Sequence, residues 1–302
     1  MCGIAGIMYK RTQGPDIGRS LVQMLYGCQH RGKDSTGFAL YRPSTPGQLI
    51  LRFLAENPGA TDALHKLFAD NRAEVLEEQK VANQYRAVVA YSGDVQRFSY
   101  ALEHAAKVMS VGESLEIIKD VGDAHEVNAR YQVTGSPGTH GIGHVRLATE
   151  SDVRPESAHP FWATGFSDLA IVHNGQITNY WKMRRALEAR GFEFRTENDS
   201  ELIAVYLAEK LALGVSLEQA LEESIDFLDG TFSFLVSTKE ELGYAKDRLA
   251  AKPMVKYESE DLVAIASEEV SINRLFPGQS IETSEPAPAT SRTWSRQALA
   301  RV

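Results

Sequence analysis

Two cysteines, Cys2 and Cys28, are all that 302 residues contain. That is too few for a disulfide framework or for a four-cysteine iron-sulfur cluster, and it makes a reducing compartment the simpler assumption. No apolar stretch approaches membrane-spanning length. The apolar run from Ile4 to Tyr9 is broken by Gly6, stops at Lys10 and Arg11, and has no basic region before it, so it does not read as a secretory leader. Long runs of lysine or arginine are also missing. With a net charge of -8 and a pI near 5.6, the chain is not expected to take nucleic acid or an anionic membrane as its main partner. There is no dinucleotide-binding glycine motif and no internal repeat. These absences leave a cytoplasmic metabolic protein as the expectation.

What is present is ordinary for a globular chain, 43% hydrophobic and 24% charged, enough for one large or two small domains. Cys2 to Tyr9 reads as a strand, Ile17 to Tyr26 as a short helix, Gln29 to Ser35 as a polar loop and Phe38 to Tyr41 as a second strand. After Pro43 and Pro46 the texture changes. Between about 45 and 140 lies an insertion, with helices expected over Asp62 to Gln79 and Phe98 to Met109 and a strand over Ala87 to Tyr91. From Gly141 the pattern is dense in short strands: Gly141 to Leu147, Asp168 to His173, Thr231 to Ser237, Leu242 to Lys246 and Leu262 to Ala266. Between them Asn179 is expected to cap one helix that Gly191 ends, Asn198 and Glu201 have capping-box spacing for the next, and a third follows Ser216. Residues 283–302, rich in Pro, Ser, Thr and Ala, are expected to be poorly ordered.

Several residue types suit amide hydrolysis, which needs a nucleophile, a base, donors for an oxyanion and charges to hold the substrate. Cys2 follows the initiator methionine, and trimming of Met1 would leave its thiol beside a free α-amine. That amine has an ordinary pKa of about 7.7 to 8.0 and can exchange a proton with the thiol or a leaving amine near neutrality. His173-Asn174-Gly175 follows an apolar strand. There the Asn174 amide and the Gly175 N–H are candidate oxyanion donors, although Asn-Gly is also a common turn dipeptide. Arg146 near a strand end can grip a carboxylate, and Asp199 in the first turn of a helix can pair with an α-ammonium. Taken singly, Cys2 can be a small buried residue, Arg146 a surface charge, and Asp199 a helix-dipole partner.

Together, in order, the segments Met1-Cys2-Gly3-Ile4-Ala5-Gly6-Ile7, Gln29-His30-Arg31-Gly32-Lys33-Asp34-Ser35-Thr36-Gly37, Gly143-His144-Val145-Arg146-Leu147-Ala148-Thr149, Ala158-His159-Pro160, His173-Asn174-Gly175-Gln176-Ile177 and Asn198-Asp199-Ser200-Glu201 resemble the glutaminase domains of class II glutamine amidotransferases. Gly230-Thr231-Phe232-Ser233, Ala245-Lys246-Asp247-Arg248 and Ala266-Ser267-Glu268 resemble that family's later strands.

The resemblance implies an α+β fold of the Ntn-hydrolase kind, a four-layer αββα sandwich of two antiparallel sheets, over residues 2–282 apart from the insertion. It implies Cys2 as nucleophile with its own amine as base, and Asn174 with Gly175 as the oxyanion hole. Arg146 and Asp199 would bind the glutamine carboxylate and ammonium, with Thr149 and His159 nearby, and Arg31 would support the Cys2 backbone. Glu150 to His159 sits where the family has a closing loop. Position 147 is leucine where many members carry an aromatic residue, and the insertion is longer than in the phosphoribosyl-amine and glucosamine-6-phosphate branches.

The chain ends near the end of the glutaminase pattern, so acceptor chemistry is expected on other chains. The arrangement resembles split glutamate synthase, especially N-methylglutamate synthase. It implies a hetero-oligomer whose partner subunits hold FMN and iron-sulfur centres, with no cofactor and no metal in this chain. Two other readings use the same residues: a regulatory subunit that senses glutamine, and a free-standing γ-glutamyl amidohydrolase.

Overall fold

The computed structural model describes residues 2–11, 16–54, 59–147 and 153–296. In chain order, β1 (Gly3–Tyr9) leads to α1 (Ile17–Gly27) and β2 (Ser35–Tyr41). There follow β3 (Gln48–Leu54), α2 (Ala60–Asp70), β4 (Glu74–Val81), β5 (Gln84–Ala90), α3 (Val95–Ala105) and β6 (Lys107–Gly112). The chain then returns through β7 (Leu115–Val121), α4 (Ala124–Tyr131), β8 (His140–Arg146), β9 (Phe161–Trp162) and β10 (Ala170–Ile177). Three helices follow, α5 (Tyr180–Glu188), α6 (Asp199–Ala212) and α7 (Leu217–Phe227), then β11 (Gly230–Ser237) and β12 (Glu241–Lys246). The chain closes with β13 (Val255–Glu258), β14 (Leu262–Ala266), α8 (Glu269–Asn273) and β15 (Ser291–Ser295).

Strand alternation builds the layers. In β1, Ile4 and Met8 point to a core shared with Val172 and Leu235, while Ala5 and Ile7 point the other way, onto Leu21 and Leu25 of α1. The first sheet, in the order β13-β14-β1-β8-β2-β7, therefore has one face on the second sheet and the other on α1, α4 and α8. The second sheet, β15-β12-β11-β10-β9, does the converse, with Ile171, Phe234 and Val236 packed against Met183, Leu207 and Leu221 of α5, α6 and α7. The result is helix, sheet, sheet, helix, with antiparallel pairing throughout both sheets.

A third, four-stranded sheet, β4-β5-β3-β6, accounts for the insertion and is narrower than the expected span of about 45 to 140. It uses residues 48–112 only, because β7 already pairs with β2 in the first sheet and α4 packs on α1. Its junction with the first sheet combines an apolar core, in which Leu51 and Phe53 join Leu115 and Ile117, with a buried ionic cluster. The buried Glu116 of β7 meets Arg52 at 2.7 Å, Arg42 at 2.7 Å and Arg86 at 3.2 Å. Burial alone would raise its carboxyl, yet the three guanidinium groups hold it below the usual carboxylate range.

Three local expectations are corrected. The helix expected over Asp62 to Gln79 ends at Asp70, after which Arg72 turns in the left-handed region (φ 57) and Glu74 to Val81 pair with β5 as a strand. The helix expected up to Met109 ends at Ala105, where the β-branched Val108 and Val111 enter β6. In both places strand pairing overrides a helical composition. The tail expected to be poorly ordered from 283 contributes β15, whose Trp294 is buried beside Tyr244; residues 297–302 lie outside the described residues. Among the described residues no helix is long and apolar enough to cross a membrane.

Candidate active site

A cleft of about 1090 Å³ opens where β1, β8 and β10 meet the start of α6, and Cys2, Arg31, Arg146, His159, Asn174, Gly175 and Asp199 all line it. Every candidate within the described residues is thus brought to one place. Thr149 lies outside the described residues, as do Met1 and part of the Glu150 to His159 segment.

Cys2 stands just before β1 and is only partly exposed, with Sγ 3.8 Å from the Leu147 carbonyl oxygen. The Gly3–Val145 pairing of β1 with β8 fixes this, since it carries Arg146 and Leu147 past the N-terminus of β1. Two side chains hold the Cys2 carbonyl oxygen. Arg31 donates through Nε at 2.9 Å and Asn174 through Nδ2 at 3.1 Å. Arg31 is placed by a tight turn in which Gln29 donates to the Gly32 carbonyl at 2.6 Å and accepts from the Ala124 N–H at 2.8 Å. It is also ion-paired with Glu268. Burial alone would raise Glu268, but the contact with Arg31 outweighs it and keeps the carboxyl below its ordinary value.

The other cysteine is different in kind. Cys28 is fully buried, and burial pushes its thiol up to about 11, which keeps it protonated and unreactive at neutral pH.

His173-Asn174-Gly175 is not the turn that the dipeptide suggests. All three lie inside β10, paired in register with Phe234, Ser233 and Phe232 of β11. Gly175 is nonetheless special, with φ +148 and no room for a side chain, since a Cβ would stand 2.0 Å from the Thr231 carbonyl oxygen. The extended path brings the Asn174 amide over the Cys2 backbone and within 3.3 Å of Ser267 Oγ, which also accepts from the Ile4 N–H at 3.0 Å.

Asp199 opens α6. Its Oδ2 accepts from the Ile177 N–H at 3.1 Å and its Oδ1 lies 3.5 Å from His173 Nδ1. Burial pushes this carboxyl up, but the His173 and Ile177 contacts prevail and hold it below the ordinary aspartate value, so it is an anion at neutral pH. The helix start is only partly as expected. Asn198 caps it by accepting from the Ser200 N–H at 2.8 Å, but Glu201 reaches back to the N–H groups of Arg195 at 2.8 Å and Thr196 at 2.7 Å instead of closing a capping box. Asn179 likewise makes no side-chain cap for α5; its side chain bonds the Phe227 carbonyl and the Asp229 N–H.

Residues without an assigned role complete the wall. Ser200 Oγ stands 2.7 Å from His159 Nε2 and 3.1 Å from His173 Nδ1, joining α6 to β10 and to the segment before β9, and the His144 ring stacks on His159 at 4.1 Å. Burial, then neighbouring cations, holds His144 at about 3 and His159 well below the usual imidazole range, so both are neutral at physiological pH. His144, His173, Ser200, Ser267 and Glu268 all fall within the segments that carry the family resemblance. What they touch is set by the packing of segments distant in sequence.

A cleft with a partly exposed thiol, a buried arginine, an ionised aspartate and an asparagine amide around one small volume is equipped to hold a zwitterionic amino acid and attack its side chain. Comparison with known proteins points the same way. Residues 144–274 match a family model described as a glutamine amidotransferase domain. A protein of Methanothermobacter thermautotrophicus whose name places it among the glutamine amidotransferases is 38% identical, over 95% of this chain and 97% of its own length. The glutamine amidotransferase-like protein GlxB of Rhizobium meliloti is also 38% identical, over 99% of this chain and all of its own. Among solved structures, the glutamine phosphoribosylpyrophosphate amidotransferase of B. subtilis superposes with a TM-score of 0.62 over 98% of this chain and 49% of that one, at 19% identity, a likeness of fold.

Proposed function

This chain belongs to the glutamine amidotransferases, enzymes of the Ntn-hydrolase fold, and on that premise we propose that it hydrolyses glutamine through Cys2 and passes the ammonia to a separate synthase subunit. The observation that carries the reading is the convergence of Cys2, Arg146, Asn174 and Asp199 on one cleft.

In the proposed reaction Met1 is first removed. The Cys2 α-amine takes the thiol proton as sulfur attacks the glutamine side-chain carbonyl carbon. The oxyanion is received by the Asn174 amide and the Gly175 N–H; one such donor contributes about 3 to 4 kcal/mol to the transition state. Collapse breaks the C–N bond, the ammonium of Cys2 returns its proton to the leaving nitrogen, and a γ-glutamyl thioester remains. Water then adds to the thioester, giving one proton to the amine, and glutamate leaves as sulfur regains that proton. Arg146 holds the substrate carboxylate and Asp199 its ammonium, with Thr149 and His159 beside them, while Arg31 fixes the Cys2 carbonyl. The 2.9 Å Arg31 bond and the ionised state of Asp199 support these roles.

The separate acceptor is supported by the two relatives aligned over 97% and 100% of their lengths, which have no space for a further synthase domain. We assign the acceptor reaction to partner chains resembling glutamate synthase, N-methylglutamate synthase among them, that carry FMN and an iron-sulfur cluster in a cytoplasmic hetero-oligomer.

The test uses the full chain with its N-terminus verified by mass. An irreversible electrophilic glutamine analogue should label Cys2 and leave Cys28 unmodified, and Cys2→Ala should abolish ammonia release from glutamine. Ammonia release by the variant, or labelling elsewhere, rejects the mechanism. Affinity purification of the native protein should bring down flavin- and iron-sulfur-containing chains, whose addition raises glutaminase turnover. Tight glutamine binding without turnover in that complex would instead indicate a sensor, and fast turnover by an isolated monomer a free-standing γ-glutamyl amidohydrolase.

A further inference from the structure

Lys119 of β7 takes no part in the reaction just described, yet its side chain is 5% exposed and lies behind the cleft wall that carries His159. Its Nζ donates to the carbonyl oxygens of Ala158 at 2.7 Å and Pro160 at 3.1 Å, with Glu156 O at 3.5 Å. An ammonium has three N–H donors and no acceptor, and here all three point to one five-residue segment. Burying that charge is unfavourable unless such bonds are made, so the site is not an accident of surface packing.

The neighbouring strand is shaped for the same segment. At Gly37 of β2 a Cβ would stand 2.0 Å from the His159 carbonyl oxygen, 2.6 Å from Lys119 Cβ and 2.9 Å from Pro160 Cδ. Bare backbone at that position lets residues 159 and 160 lie directly on the first sheet. The Phe161 ring covers the ammonium at 4.8 Å. From the third sheet, Lys107 Nζ adds a bond to Glu156 Oε1 at 2.8 Å, tying down the start of the segment. Arg195, Arg146, Glu201 and Glu156 are the charged groups around Lys119; burial first and then the two arginines bring its ammonium down to about 7, against the pull of the two glutamates.

We propose that Lys119 is a positioning residue, pinning the backbone of 156–160 so that His159 is held against Ser200 at the wall of the glutamine cleft. The pinning stands on these contacts alone. Its kinetic consequence rests on the glutaminase reading above.

Lys119→Met keeps the length of the stem without the charge, and Lys119→Gln, which keeps two N–H donors, is run beside it. Hydrogen exchange followed by mass spectrometry should show amides of the 157–161 segment exchanging about tenfold faster in Lys119→Met, with β1 and β8 still protected. Glutamine KM should rise about fivefold with kcat nearly unchanged, as for lost binding that is equal in ground and transition states. Lys119→Gln should fall between the two proteins. In a His159→Ala background the same substitution should raise KM no further. Unchanged exchange in a folded Lys119→Met protein overturns the pinning, and additive effects on KM in the double variant overturn action through His159. If the wild-type protein releases no ammonia even in complex with its partner chains, the glutaminase reading fails and the exchange result alone decides for or against the pin.

Discussion

Gly175 combines two constraints that only glycine meets, a φ of +148 and a Cβ position 2.0 Å from the Thr231 carbonyl oxygen and 2.8 Å from His173 Nε2. Alanine there must push β10 away from β11 or rotate the peptide that leads from Asn174, whose amide sits 3.1 Å from the Cys2 carbonyl. Gly175→Ala should therefore lower stability by about 1 to 3 kcal/mol and cut ammonia release by about 100-fold or more. A thermal melt and a coupled glutamate assay measure the two effects; wild-type turnover in this variant would remove Gly175 from the oxyanion site. The identity and order of the cleft residues were legible because Cys2, Arg146, Asn174 and Asp199 sit in recognisable short segments. The conformation of those segments was less so. Asn174-Gly175 reads locally as a hairpin turn, and only the pairing with Ser233 and Phe232 of the distant β11 draws it out into a strand. Ser200, bridging His159 and His173, is invisible in the same way, since its partners are 41 and 27 residues off.

Among the elements, β15 shows the limit of composition as a guide. A stretch rich in Pro, Ser, Thr and Ala reads as disordered, but Ser291 to Ser295 close the edge of the second sheet by pairing with β12. One side chain accounts for much of this. Trp294 is 5% exposed, its indole N–H donates to Glu258 at 3.0 Å, and its ring meets Tyr244 at 6.0 Å between centroids. Trp294→Ala should cost about 3 to 5 kcal/mol, the usual range for deleting a buried aromatic, and should free the edge of β12. Urea unfolding gives the first quantity and hydrogen exchange of the 241–246 amides the second; a loss under about 1 kcal/mol would mean that β15 is dispensable to the fold. The β1, α1, β8 and β14 segments were legible because their apolar periodicity agrees with their final partners. In the inserted sheet, Glu74 to Val81 has the charged composition of a helix and becomes a strand only because β5 offers it an edge.

Taken over the whole molecule, the buried ionisable groups set a pH window for the fold. Burial depresses His140 to about 4, His144 to about 3 and His159 well below the imidazole range, whereas the unfolded chain titrates all three near 6.5. Above that value neither state binds these protons and the native state is at full strength; as pH falls below it the unfolded chain takes up three protons that the native state refuses. Glu103 works in the opposite direction. Burial raises it to about 8 from the ordinary glutamate value, so it takes a native-state proton that the unfolded chain lacks, and that contribution fades as pH rises towards 8. The three histidines outweigh the glutamate, so stability falls as pH drops from 6.5 towards 5. Above 7 the sign changes for Lys119, held at about 7 by burial: the unfolded chain keeps its proton and stability is gained, offsetting what Glu103 loses. Stability should therefore climb from pH 5 to about 6.5 and level off near neutrality, as read from urea midpoints at constant ionic strength. Asp199, held below its ordinary value, does not titrate in that range, and neither do His144 and His159. With Cys2 acting through its own amine, the acid limb of kcat/KM should include the ionisation of that α-amine, whose ordinary value is about 7.7 to 8.0, and should not follow the unfolding curve. A profile limb near 6.5 that vanished in His159→Ala would show instead that an imidazole carries the proton.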